Sequence, residues 1–211
     1  MNATPIITRF LALEELDAIG MSLSNAYSAC NEFMQLNVVM GAFPIGIEQR
    51  PHLLRAFVDH SLMRLADTLP GFHHELKPNA ARNCQHVRIH KSGLAITAHY
   101  MGRKKFRKSA RRAVNRAVLG MRNPDLFGFE STDLDLFQHN GYAQILHGGI
   151  TKPDMLVIAI PTRDQVHVGA AMSLTIPTPD RVEAESILEE MEYRLKTNTE
   201  GDTGNEASAA S

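Results

Sequence analysis

The sequence predicts an α+β fold: a mainly antiparallel sheet of about five or six strands with N-terminal helices, a basic amphipathic helix in the middle and a C-terminal helix. Three observations predict it. Apolar residues recur at helical spacing across residues 13–69. Two-residue alternation and one continuous apolar run then take over much of residues 86–176. The strand candidates come mostly in neighbouring pairs, which favours antiparallel pairing. At 211 residues and 44% apolar content, the chain suits a single domain over residues 1–196. A helical part covers 1–71, and a sheet with helices covers 72–196. The polar stretch 197–211, NTEGDTGNEASAAS with its preceding Thr197, reads as a disordered tail.

Leu13, Leu16, Leu23, Tyr27, Cys30, Phe33 and Met34 give the first helix, within residues 13–40, and GAFPIG breaks it. A second helix is expected to start near Pro51, a residue suited to a first turn. Leu54, Phe57, Val58, Leu62, Leu65 and Leu69 form its buried stripe, and Pro70-Gly71 ends it. HVRIHKSGLAITAHYMG reads as a hairpin turning near Lys91–Gly93. Val87, Ile89, Leu94, Ile96 and Ala98 fall on one face, and His86, Arg88, His90, Thr97 and His99 on the other. In the next stretch Phe106, Ala110, Ala113, Val114, Ala117, Val118 and Met121 mark the apolar face of a helix. LFGFE, YAQILHG, MLVIAI and VHVGAAMSLTI are the later strand candidates. MLVIAI has the continuous apolar character of a strand covered on both faces. In the last of these, Val166, Val168, Ala170, Met172, Leu174 and Ile176 are expected to face inward. Thr178 is the expected cap of a final helix with Pro179 in its first turn, and Val182, Leu188, Met191 and Leu195 as its packing stripe.

The net charge of −1 conceals a division. No acidic residue lies between Glu75 and Asp125, yet thirteen of the chain's 22 Lys and Arg do. The remainder carries nine basic residues against all 23 carboxylates. The densest block is GRKKFRKSARRAVNRAVLGMR, residues 102–122, with nine Lys or Arg and no acid. Such a face suits phosphates, because displacing condensed counterions drives binding without base reading. The predicted function is a nucleic-acid-binding (DNA-binding or RNA-binding) protein of regulatory or accessory role. Arg103, Lys104, Lys105, Arg107, Lys108, Arg111, Arg112 and Arg116 are its phosphate contacts, and Arg88 of the hairpin extends them. Two bland readings compete: a solvated helix face, or an internal match to Glu183, Glu185, Glu189, Glu190 and Glu192 of the last helix. Two other functions compete as well. One is a metal-dependent enzyme acting on nucleic acid. The other is a protein-interaction module with a basic face.

The remaining constellations favour structural readings. His86, His90 and His99 fall on one hairpin face, and three imidazoles can hold zinc. No carboxylate joins them, and His73-His74-Glu75 reads as a loop. Glu130, Asp133, Asp135 and His139 resemble a Mg²⁺ cluster but suit a solvated loop. Glu75-Leu76-Lys77 matches half of a nuclease site, but Asp59 and Asp67 fall on the second helix rather than on a preceding strand. Gly148-Gly149 leads into a strand, so a turn or bulge is expected rather than a phosphate cradle. No cofactor, no metal and no catalytic residue is assigned. Cys30 and Cys84 suit no disulfide framework. Acidic residues interrupt the N-terminal apolar positions, and no run approaches a membrane span of about 20 residues. The expectation is a cytoplasmic protein with no membrane partner, whose N-terminal helices and acidic last helix suit self-association or a protein partner.

Overall fold

The computed structural model describes residues 7–37, 42, 44–78, 85–102, 141–161 and 168–202. Helix α1 (Leu13–Leu36) begins where the Glu15 carboxylate reaches back to the Ala12 N–H at 2.9 Å. Leu16, Leu23, Tyr27, Cys30, Phe33 and Met34 are buried at the predicted spacing, whereas Leu13 in the first turn is exposed. Helix α2 (Pro44–Thr68) starts seven residues before the expected position. Pro44 supplies the first-turn proline. Pro51 sits inside the helix on its exposed side, where it withholds one N–H from the ladder. The stripe of Leu54, Phe57, Val58, Leu62 and Leu65 is buried as predicted.

Among the described residues six strands follow: β1 (Phe72–Pro78), β2 (Gln85–Lys91), β3 (Leu94–Tyr100), β4 (Tyr142–Gly149), β5 (Pro153–Pro161) and β6 (Val168–Ser173). They form one mixed sheet in the order β1-β2-β3-β4-β5-β6. Neighbours are antiparallel except β3 and β4, which run parallel. The fold is therefore α+β, with a mostly antiparallel sheet. The predicted hairpin is β2–β3, with Ile89 opposite Ile96 and a two-residue turn at Ser92-Gly93. The expected loop at His73-His74-Glu75 is instead part of β1, an edge strand that pairs with β2 along its whole length. The expected doubly covered run MLVIAI, in β5, has four of its six residues buried and none exposed, and β4 is covered still more fully, with all eight residues buried. The candidate strand LFGFE lies outside the described residues.

Helix α3 (Arg181–Asp202) closes the described chain. Its cap is Asp180 rather than Thr178: Asp180 Oδ1 accepts from the N–H groups of Val182 at 3.0 Å and Glu183 at 3.3 Å. Ala184, Ile187, Leu188 and Met191 form the buried stripe, while Val182 and Leu195 are exposed. The helix continues past Thr197 to Asp202, so the expected tail boundary at 197 falls inside it.

Helix α1 packs against both α2 and α3, and α2 lies over β1–β3. The core between helices and sheet joins Leu23, Tyr27 and Phe57 to Ile89, Ile96, Ile145 and Ile158. Each fully buried side chain of this size contributes about 1.5–3 kcal/mol. Inward alternation holds for Ala170 and Met172 of β6 and for Leu174 just beyond it, whereas Ile176 is exposed and Val166 lies outside the described residues. Two close approaches require glycine, one where the chain after β6 crosses α1 and one at the β4–β5 turn. A Cβ at Gly20 would stand 2.6 Å from the Thr175 carbonyl oxygen, so only glycine lets that chain lie on α1. Gly149 has φ 131°, and a Cβ there would strike the Lys152 carbonyl. The expected Gly-Gly bulge is present, with a register shift between Gly148 and Gly149. Among the described residues no helix is long and apolar enough to cross a membrane.

Candidate functional site

Arg103, Lys104, Lys105, Arg107, Lys108, Arg111, Arg112 and Arg116 lie outside the described residues. So do Glu130, Asp133, Asp135 and His139. Arg88 is described, and it is not a free cation. Strand pairing sets His73 opposite His90, Glu75 opposite Arg88 and Lys77 opposite His86 on the sheet face away from the helices. The Glu75 carboxylate accepts from Arg88 at 3.0 Å and from His90 at 3.1 Å, and pairs with Lys77 at 2.9 Å. The Arg88 side chain is only 12% exposed. Burial alone would push the Glu75 carboxyl up. The bonds from Lys77 and His90 and the charge of Arg88 outweigh it and hold the group at about 2. Burial pushes the His90 imidazole down, against the pull of Glu75, and His73 stacks on it at 4.8 Å. A carboxylate this firmly ionised is an anchor for cations, not a proton carrier.

The other sequence candidates are dispersed. Asp59 pairs with Arg55 and Asp67 with His74, so neither joins Glu75 as a nuclease constellation would require. Among the described residues no three His, Cys, Asp or Glu side chains stand close enough to hold a metal, so His86, His90 and His99 do not assemble a zinc trio. Burial pushes the Cys30 thiol up to about 11, the opposite of an activated thiolate.

The acidic last helix is engaged elsewhere. Arg64 of α2 bridges Glu183 at 3.0 Å and also bonds Glu190. His60 of α2 bonds the second Glu190 oxygen at 2.8 Å, and Glu185 pairs with Arg181 at 2.7 Å.

A buried polar pair on the helix-facing side was not foreseen from sequence. His147 of β4 and Tyr27 of α1 are both fully enclosed, with Nδ1 and the phenol oxygen 2.9 Å apart. Burial pushes His147 down to about 3 and pushes the Tyr27 phenol up. The imidazole is therefore neutral. Beside this pair, Tyr100 donates to the Gly149 carbonyl at 3.0 Å. Arg50 of α2 donates to the Ile150 carbonyl at 2.8 Å and to Asn31 Oδ1 at 3.2 Å. The β4–β5 turn is thus tied to both N-terminal helices. The usable signal in the sequence was a histidine inside a strand candidate, immediately before the Gly-Gly that ends it.

No protein-family model, no curated protein and no solved structure matches this chain.

Proposed function

We propose that the protein binds nucleic acid along its phosphate backbone through residues 103–122, in a regulatory or accessory role. Arg103, Lys104, Lys105, Arg107, Lys108, Arg111, Arg112 and Arg116 are the contacts. Arg88, held by Glu75, drops out of that set. One observation favours this reading over an internal charge match. Of the five acids that such a match would draw on, three, Glu183, Glu185 and Glu190, are already paired with Arg64 and Arg181. The basic block keeps its excess charge with respect to those partners, and a polyanion is what such an excess attracts.

The test is fluorescence anisotropy on labelled single-stranded RNA, single-stranded DNA and duplex DNA over a salt series. Neutralising about five phosphates predicts that duplex affinity falls about 500-fold between 50 and 200 mM salt. No micromolar binding to any of the three at the lowest salt overturns the reading. Cleavage of the probe on adding Mg²⁺ replaces it with the enzyme reading. Capture of an acidic protein without nucleic-acid binding replaces it with the interaction-module reading.

A further inference from the structure

A cleft of about 610 Å³ opens between one side of α1, the β4–β5 turn and the chain leading into α3. That volume falls within the roughly 300–1,000 Å³ of small-ligand sites. Ser24, Ser28 and Asn31 line it from α1 at helical spacing, so one polar stripe faces it. Lys152 lines it from the turn and Asp154 from the start of β5, and Pro177 and Pro179 form an apolar wall.

The walls are fixed before any ligand arrives. Asn25 Oδ1 accepts from the Asp180 N–H at 2.7 Å, and the chain crosses α1 at Gly20, which pins the proline wall. Arg50 ties the turn to Asn31. That bond uses the Asn31 carbonyl oxygen, so the amide's two N–H donors are left for a ligand. The Ser24 hydroxyl is buried without a partner, and its residue is 2% exposed. A buried hydroxyl without a partner is uncommon and is expected to find one. The charges are also uncommitted. No ion pair among the described residues uses Lys152 or Asp154, and the two are not paired with each other.

We propose that this cleft binds a small zwitterion of amino-acid or short-peptide class, its carboxylate at Lys152 and Asn31 and its ammonium at Asp154. A cation on the turn and an anion at the start of β5, not paired with each other, select a ligand with both charges. A simple anion is repelled by Asp154, and a simple cation by Lys152. The Ser28 hydroxyl and the prolines suit the neutral middle of such a molecule. The inference does not rest on the basic stretch, and failure of nucleic-acid binding leaves it intact.

The experiment is an amide-resonance titration of the full chain with trialanine, to about 10 mM, which detects millimolar affinities. Four forms are compared: free termini, N-acetylated, C-amidated and doubly blocked. The free form is expected to shift the amides of Asn31, Thr151, Lys152 and Asp154. Blocking either terminus is expected to weaken binding about tenfold, the loss of one charge-assisted hydrogen bond. K152Q should bind the free and C-amidated forms equally, and D154N the free and N-acetylated forms equally, with melting temperatures unchanged. Equal binding of all four forms to the unmodified protein overturns the proposal. So does the absence of shifts at the cleft.

Discussion

Replacing His147 with Gln should change how stability depends on pH, not only its level. The imidazole is 2% exposed, and burial pushes it down to about 3. In the unfolded chain it returns to about 6.5. Below that value the unfolded state binds a proton that the folded state refuses. The folded state's advantage is therefore complete above pH 6.5 and is lost as pH falls toward 3, by about 1.4 kcal/mol per unit. From pH 6.5 to 4.5 the loss is about 2–3 kcal/mol. His60 and His90, also pushed down by burial, act in the same direction, so the wild-type curve alone cannot assign the effect. Urea unfolding followed by circular dichroism at pH 7.5, 6.5, 5.5 and 4.5 isolates it by difference. At pH 7.5 the H147Q protein should be less stable than wild type. The gap should shrink by about 2–3 kcal/mol by pH 4.5. A control separates hydrogen bonding from protonation. Tyr27→Phe strands the His147 Nδ1 at a cost of about 1–3 kcal/mol but keeps the titrating ring, so it should run parallel to wild type. A gap between wild type and H147Q that stays constant across the series would refute the reasoning.

Replacing Arg107, Lys108, Arg111 and Arg112 with Gln should weaken nucleic-acid binding and flatten its salt slope while the melting point barely moves, as anisotropy and calorimetry will read. Asp180→Ala removes the α3 cap and should lower stability by about 0.5–2 kcal/mol in urea titrations. Gly149→Ala forces a side chain into the Lys152 carbonyl at a left-handed φ and should cost about 1–3 kcal/mol, seen as a lower melting temperature. Arg50→Gln removes the tie between α2 and the β4–β5 turn; hydrogen exchange at Thr151 and Lys152 should accelerate while the sheet amides stay protected.

Legibility in the sequence followed the reach of each interaction. Where burial repeats along one element, period sufficed: the α2 stripe and the Ile89–Ile96 hairpin were readable because one face is apolar and the other polar. Where two signals of the same chemistry compete, local reading chose wrongly. Pro44 and Pro51 both suit a first turn, and only the packing of the whole helix selects the first. In β1 the outward positions are His73, Glu75 and Lys77, and His74 interrupts the inward face between Phe72 and Leu76, so the apolar alternation is broken. Its identity as a strand comes from Arg88 and His90 across the ladder, not from its own pattern. The same holds for the cleft. Ser24, Ser28 and Asn31 look like any exposed helical stripe until residues 120 or more positions later close over them. The charge division, by contrast, is a property of composition and needs no fold to be seen.

The parallel seam between β3 and β4 also has a kinetic meaning. Strands β1–β3 and strands β4–β6 are each meanders of sequence neighbours, so each half-sheet assembles from short loops. Joining the halves means closing residues 101–141, an entropic penalty of about 3 kcal/mol before the seam's own hydrogen bonds offset it. Low contact order within each half and high contact order at the joint order the pathway. The two meanders form early, and their union is the slow event. In the interval both future seam edges, including the apolar β4, are unpaired. The nascent chain is most exposed to mispairing with another copy of itself at that stage, before the sheet is whole.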